Sequence, residues 1–369
     1  MATRPIFRRT KDAAPTRRLT SAGTAMVVGA LLVLAAPGTA AANSVAVTVR
    51  TPGATGGPTA IDSSVSTSAQ CSGGLVSSGG IDQSNGTGTG SNGNHVLGTE
   101  PSSDGSTEYT GATGVVGTDV TYWIAKGGSG GQVNSGFSTT PYALCLTSTL
   151  INHTQVVMNK ANTPTSAATV GLVTASCPSG TALLGGGALV TPSNTGNLKA
   201  IASFPTFNDA AHDYGRKAAA DGDTNPTAWS AVGWDNSTNS SNETYAYAIC
   251  SGTGINVSGV TVKVRFTEAA GPSTGGTGQN TTVTCAGGDG NLISGGAAVS
   301  GGSVTTTDFT GPGSAGDHLN GSYPSDSGGN PAANGTTTAA SWTAFTHTGG
   351  TGSAATHSDA WALCANDGV

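Results

Sequence analysis

Alternating apolar and polar residues open three widely spaced stretches of the chain. They are Val45-Ala46-Val47-Thr48-Val49, Thr154-Gln155-Val156-Val157 and Val260-Thr261-Val262-Lys263-Val264. Successive side chains of a strand face opposite sides of a sheet, so this Val/Thr alternation predicts half-buried strands. A second set of strands is predicted around tryptophan, at Val120-Thr121-Tyr122-Trp123-Ile124 and its counterparts. A third closes each stretch: Tyr142-Ala143-Leu144-Cys145, Tyr247-Ala248-Ile249-Cys250 and Trp361-Ala362-Leu363-Cys364. There the aromatic and aliphatic residues share one face, and Ala and Cys the other. Gly, Asn, Ser and Asp clusters such as Asn85 to Asn94 separate the runs and read as turns and loops.

These elements belong to three copies of one unit. The first cysteines of the copies, Cys71, Cys177 and Cys285, recur at steps of 106 and 108 residues; the second, Cys145, Cys250 and Cys364, at 105 and 114. Between them the landmarks keep one order. A glycine cluster comes first (Gly79-Gly80, Gly185-Gly186-Gly187, Gly295-Gly296). Next is a proline (Pro101, Pro205, Pro324), and then Trp-x-Ala at Trp123, Trp229 and Trp342. From that Trp to the second Cys the distance is 22, 21 and 22 residues. The repeats are assigned as residues 43–149, 150–253 and 254–369. The expected fold is all-β: three tandem domains, each a disulfide-stapled sandwich or small barrel and self-contained. An immunoglobulin fold is disfavoured, because each Trp trails the first Cys by 52, 52 and 57 residues.

Residues 1–42 read as a signal peptide. A basic segment to about Thr24 precedes twelve apolar residues, Ala25 to Ala36, and the small-residue run Ala40-Ala41-Ala42. Twelve residues are too few to cross a bilayer, which takes about 20. Arg17-Arg18 is followed by Leu19-Thr20-Ser21, a poor fit to a twin-arginine signal, so the export route stays open. The expected location is secreted and extracellular, with no membrane span in the mature chain. In an exported chain six cysteines are best read as disulfides. Repeat symmetry pairs Cys71 with Cys145, Cys177 with Cys250 and Cys285 with Cys364.

Composition narrows the function classes. The chain carries a net −6, but residues 43–369 hold 8 basic and 19 acidic side chains. Too few Lys and Arg remain to neutralise phosphates, which excludes a nucleic-acid binder. Glycine, at 58 of 369 residues, disfavours long solvent-facing helices.

Several motif matches are refused. Gly127-Gly128-Ser129-Gly130-Gly131 spells a nucleophile elbow without the helix that elbow needs. Gly88, Gly90 and Gly93 spell a dinucleotide fingerprint without a βαβ setting. Asp221-Gly222-Asp223-Thr224-Asn225 resembles a calcium loop, yet its twelfth position is Val232 instead of Glu. The sequons at Asn236, Asn242, Asn256 and Asn280 follow from composition. No Cys-x-x-Cys or His-x-x-x-His suggests a metal, no cofactor is expected, and no catalytic residue is assigned. His95, His153, His212, His318, His347 and His357 fall at non-equivalent places by spacing and are expected at the surface. The three Trp-x-Ala tryptophans are expected in the core. Trp234 has no counterpart in the other repeats, so it is the expected exposed, ligand-stacking residue.

The second unit, with Cys177-Pro178-Ser179-Gly180, Gly185-Gly186-Gly187, Ser203-Phe204-Pro205, Trp229 and Tyr247-Ala248-Ile249-Cys250, resembles a repeat of secreted proteins from high-GC Gram-positive bacteria. The first unit lacks the Pro after Cys71 and carries Glu100 where the others have an aromatic before Pro. The third has a longer insertion between Gly296 and Pro324. The resemblance implies an extracellular β module and brings no catalytic residues. The expectation is a secreted, non-enzymatic protein with a surface-binding or structural role. The alternatives are an array of carbohydrate-binding modules, meeting cell-wall or extracellular polysaccharide, and a secreted hydrolase.

Overall fold

The computed structural model describes residues 45–84, 92–164, 170–192, 198–235 and 241–366. Residues 1–42, read above as a signal peptide, Gly88 and Gly90, the part of the Asn85–Asn94 loop before residue 92 and Asn236 lie outside the described residues.

The fold is all-β. The first repeat supplies β1 (Ala46–Arg50), β2 (Thr55–Gly56), β3 (Ser64–Gln70), β4 (Leu75–Ser84), β5 (Asn94–Ser102), β6 (Gly114–Thr118), β7 (Tyr122–Ser129) and β8 (Ser138–Thr147). The second supplies β9 (Thr154–Asn162), β10 (Gly171–Ser176), β11 (Leu183–Thr191), β12 (Lys199–Thr206), β13 (Ala228–Trp234) and β14 (Glu243–Ser251). The third supplies β15 (Thr261–Ala270), β16 (Gly278–Thr284), β17 (Asn291–Ser300), β18 (His318–Ser325), β19 (Ser341–His347) and β20 (His357–Asn366).

Each repeat is a sandwich of two three-stranded layers. In the second repeat these are β9-β14-β11 and β10-β13-β12; the others follow the same plan. The cysteines pair as their spacing predicts, Cys71–Cys145, Cys177–Cys250 and Cys285–Cys364. Trp123, Trp229 and Trp342 are fully buried between the layers. The recurring glycine is what lets them lie there. A Cβ at Gly79, Gly186 or Gly295 would stand 2.3, 2.3 or 2.2 Å from Cγ of the tryptophan of its own repeat.

The sandwiches are not independent, which corrects the expectation of self-contained domains. Residues 41–369 form one compact unit, and every sheet joins layers from two repeats. One sheet runs β1-β8-β4-β18-β19-β16, the next β3-β7-β5-β11-β14-β9-β6, the last β10-β13-β12-β17-β20-β15. Three joints close the ring: β5 on β11, β12 on β17 and β18 on β4, all antiparallel. The last glycine of each cluster makes the joint. A Cβ at Gly80, Gly187 or Gly296 would meet the carbonyl oxygen of Ser322, Thr99 or Ser203 at 2.2, 2.2 or 2.4 Å. Bulges recur at matching places, at Val76/Ser78, Leu183/Gly185 and Leu292/Ser294 and again at Val96/Gly98, Ala200/Ala202 and Leu319/Gly321.

Residues from all three repeats, including Gly79, Gly186 and Gly295, enclose a void of about 20 Å³ where the repeats meet. The residue before each proline faces the closing aromatic of the next repeat. Phe204 stacks on Trp361 at 5.5 Å and Tyr323 lies 6.2 Å from Tyr142. At the third joint Glu100 takes the aromatic's place beside Tyr247.

Candidate functional site

Trp234 is 3% exposed, so it is not an exposed stacking surface. The odd spacing puts it on the face of β13 opposite Trp229, but a segment of the third repeat covers that face: a Cβ at Gly311 would lie 2.8 Å from its ring. Absence from the other repeats did not mean exposure, because the insertion of the third repeat packs against the ring.

The histidines also depart from expectation. His95, His318 and His347 are buried, and sheet register makes His95, Lys199 and His318 equivalent positions of the three repeats. They pair with Gly128, Trp234 and His347 respectively. Their hydrogen bonds run from repeat to repeat. His95 Nε2 lies 2.9 Å from the Leu198 carbonyl, and Lys199 Nζ donates to the Asp317 carbonyl at 2.8 Å. The carbonyl of Asn94, the position matching Leu198 and Asp317, accepts from Asn320 Nδ2. Nδ1 of His95 and of His318 each sit on a glycine carbonyl two residues earlier, at 3.0 and 2.8 Å. Burial, reinforced by Lys199, pushes the two imidazoles down to about 4 and about 3. Burial lowers Lys199 to about 8, against the pull of Asp317. At neutral pH the end of the ring therefore carries the Lys199 ammonium between two imidazoles whose charged form burial disfavours. These groups wall a polar basin of about 340 Å³.

A second feature lies on the second repeat. Of the large hydrophobic side chains exposed among the described residues (Ile61, Val115 and Tyr214), Tyr214 is the one aromatic and the most exposed, at 63%. It sits in the 3-10 turn Asp213–Gly215 with φ 54° and ψ 41°, next to Asp213 at φ 45°. Left-handed backbone at two successive non-glycine residues costs about 1–3 kcal/mol each and persists only where the surroundings impose it. Here they do. Tyr214 N donates to the Asp209 carbonyl at 2.8 Å, and Ser230 Oγ to the Gly215 carbonyl at 2.7 Å. Arg216 Nε is tied to Asp308 at 2.8 Å and to Asp213 at 3.3 Å. The ring borders an open groove of about 580 Å³ along β9 and β10, with Asn159, Lys160 and Asn208 on its walls.

The refused motifs have structural explanations. Ser129 is buried in β7 and donates to the Ala60 carbonyl. Asp221 and Asn225 accept N–H groups of Phe266 and Val262, pinning their turn to β15. Among the described residues no group of three or more His, Cys, Asp and Glu is arranged to hold a metal ion, and no helix is long and apolar enough to cross a membrane. The three disulfides are the mark of an oxidising compartment, extracellular or periplasmic.

Sequence reasoning missed Tyr214, Lys199 and the buried histidines. Only Glu100, breaking the aromatic-Pro landmark, stood out in advance. No protein-family model matches the chain, and no curated protein is similar to it in sequence.

Proposed function

We propose that the protein is a secreted, non-enzymatic surface-binding protein of the kind its repeat resembles, and that the Tyr214 groove meets cell-wall or extracellular polysaccharide. The observation that carries this reading is the ring of Tyr214, presented to solvent by a strained and pinned turn above a groove of amide and charged side chains. An aromatic face beside hydrogen-bonding groups suits a sugar, whose apolar C–H face stacks while its hydroxyls find polar partners. Three of the carboxyl groups with raised pKa values support a role other than catalysis. Glu100, Asp82 and Asp359 are enclosed by packed strands, where no substrate reaches them.

Pull-down on insoluble wall and plant polysaccharides tests the reading. The wild type should bind, and Tyr214→Ala should weaken binding about tenfold with an unchanged melting temperature. Undiminished binding by Tyr214→Ala would remove the groove from the account.

A further inference from the structure

The basin at the end of the ring is a separate site. Its walls are His95, Lys199 and His318 together with glycine main chain, and none of its wall residues is an acid. That is a marked departure in a chain whose residues 43–369 carry more than twice as many acids as bases. Two carboxylates outside the lining act on its groups: Asp62 on His95, and the buried Asp317, hydrogen-bonded to Thr356, on Lys199.

Lys199 is 6% exposed and forms no ion pair among the described residues. Its ammonium donates to the carbonyls of Ala315 at 2.6 Å and Asp317 at 2.8 Å. An ammonium has three N–H groups, so one remains for a ligand. Two carbonyl dipoles, the Trp234 ring with its centroid 5.9 Å from Nζ and the field of Asp317 offset the cost of burying this cation only in part, and an anion in the basin would offset more of it.

The glycines give the basin its shape. Gly130 N donates to the Gly93 carbonyl at 2.8 Å in the first repeat, and Gly349 N to the Gly316 carbonyl at 2.9 Å in the third. Main chain without side chains therefore forms two sides. At the mouth, a Cβ on Gly131 or Gly350 meets nothing within 4 Å. A volume of about 340 Å³ is more than an inorganic ion fills and within the range of small-molecule sites. Imidazoles, the Asn92 and Gln132 amides and bare peptide groups suit a hydroxyl-rich body.

We propose that this basin binds a small sugar derivative bearing an oxyanion, a sugar acid or a sugar phosphate, with Lys199 as its charge contact. Titration calorimetry on the disulfide-intact protein tests it with galacturonate, glucose 1-phosphate and uncharged glucose. One or both anions should bind at least tenfold more tightly than glucose, and which one binds identifies the anion source. Lys199→Met should weaken anion binding by about tenfold or more. Since Lys199 also links two repeats, a loss with Lys199→Met counts only if its melting temperature is kept. Gly131→Asp decides independently, placing a carboxylate at the open mouth where the fold has room, and should weaken anion binding without lowering the melting temperature. Equal affinity for glucose, no binding of either anion, or anion binding that survives Gly131→Asp would each overturn the proposal. None of these results depends on the polysaccharide pull-down, which reads Tyr214.

Discussion

Replacing Glu100 with Gln should turn a pH-dependent weakness of the fold into a pH-independent one. Glu100 is fully buried at the joint between the first two repeats, and neither carboxyl oxygen has a hydrogen-bond partner. The hydroxyl of Tyr247 lies beside it but donates to the Tyr109 carbonyl at 2.9 Å. Burial first, and then the neighbouring Glu108 carboxylate, push Glu100 up to about 8 from 4.5. A carboxyl with its folded pKa above its unfolded one keeps its proton in the native state while the unfolded chain releases it. Stability is therefore lost as pH rises from about 4.5 to about 8 and is level above that. At 1.36 kcal/mol per pH unit, the loss reaches about 5 kcal/mol at most. Gln resembles the protonated acid and does not titrate. Urea unfolding of both proteins at pH 4.5 and 8.5 should show little difference at the lower pH and a more stable variant at the higher. The offset that an unpartnered amide adds is the same at both pH values, so the change between them carries the test. A difference that stays constant with pH would show that Glu100 is ionised, and solvated, in the native state.

Three further outcomes follow from the ring. Residues 150–253 alone, under oxidising conditions, should fail to unfold cooperatively, because β11 and β12 lose their partners β5 and β17; a sharp transition in circular dichroism would contradict the shared sheets. Gly187→Ala, whose Cβ would fall 2.2 Å from the Thr99 carbonyl, should cost about 1–3 kcal/mol or more in chemical denaturation. Gly287→Ala, with nothing within 4 Å, should stay within about 0.5 kcal/mol of wild type. Trp234→Ala should cost about 3–5 kcal/mol, as much as Trp229→Ala, since both are buried; an unchanged melting temperature would restore Trp234 as a surface residue.

The strands and disulfides were legible because their signals lie inside one repeat. Alternation marks β1, β9 and β15, and the Cys, Gly and Trp landmarks repeat at one step because they pack on each other within a sandwich. The sharing of sheets was not legible, since nothing within a repeat says whether an edge strand meets solvent or the next copy. The sign was the last glycine of each cluster, whose partner carbonyl lies in another repeat, far away in sequence. His95, Lys199 and His318 escaped because neither residue type nor spacing marks them as equivalent. Lys stands between two His, and the insertion of the third repeat displaces His318 from the common step. Tyr214 depends on a loop conformation held by distant partners such as Asp308, which spacing does not encode.

Closure of the ring also indicates where specificity resides. A lone repeat leaves two interior strands unpaired, and unpaired edges invite aggregation; three joints remove those edges without capping repeats. The residues that make the joints are fixed in kind by contact with main chain: small at Gly80, Gly187 and Gly296, hydroxyl-bearing at Thr99, Ser203 and Ser322. Trp229 and Trp342 each donate to that hydroxyl, at 2.8 and 3.0 Å. Positions beside the paired joint residues lack that demand, and there the three copies diverge in chemistry. Glu100 stands for Phe204 and Tyr323, and Lys199 for His95 and His318. A strictly threefold ring presents the same groups three times around its axis and suits a ligand of matching symmetry. One lysine between two histidines breaks the threefold at the basin, and such a site would distinguish the charged end of a ligand from the rest of it.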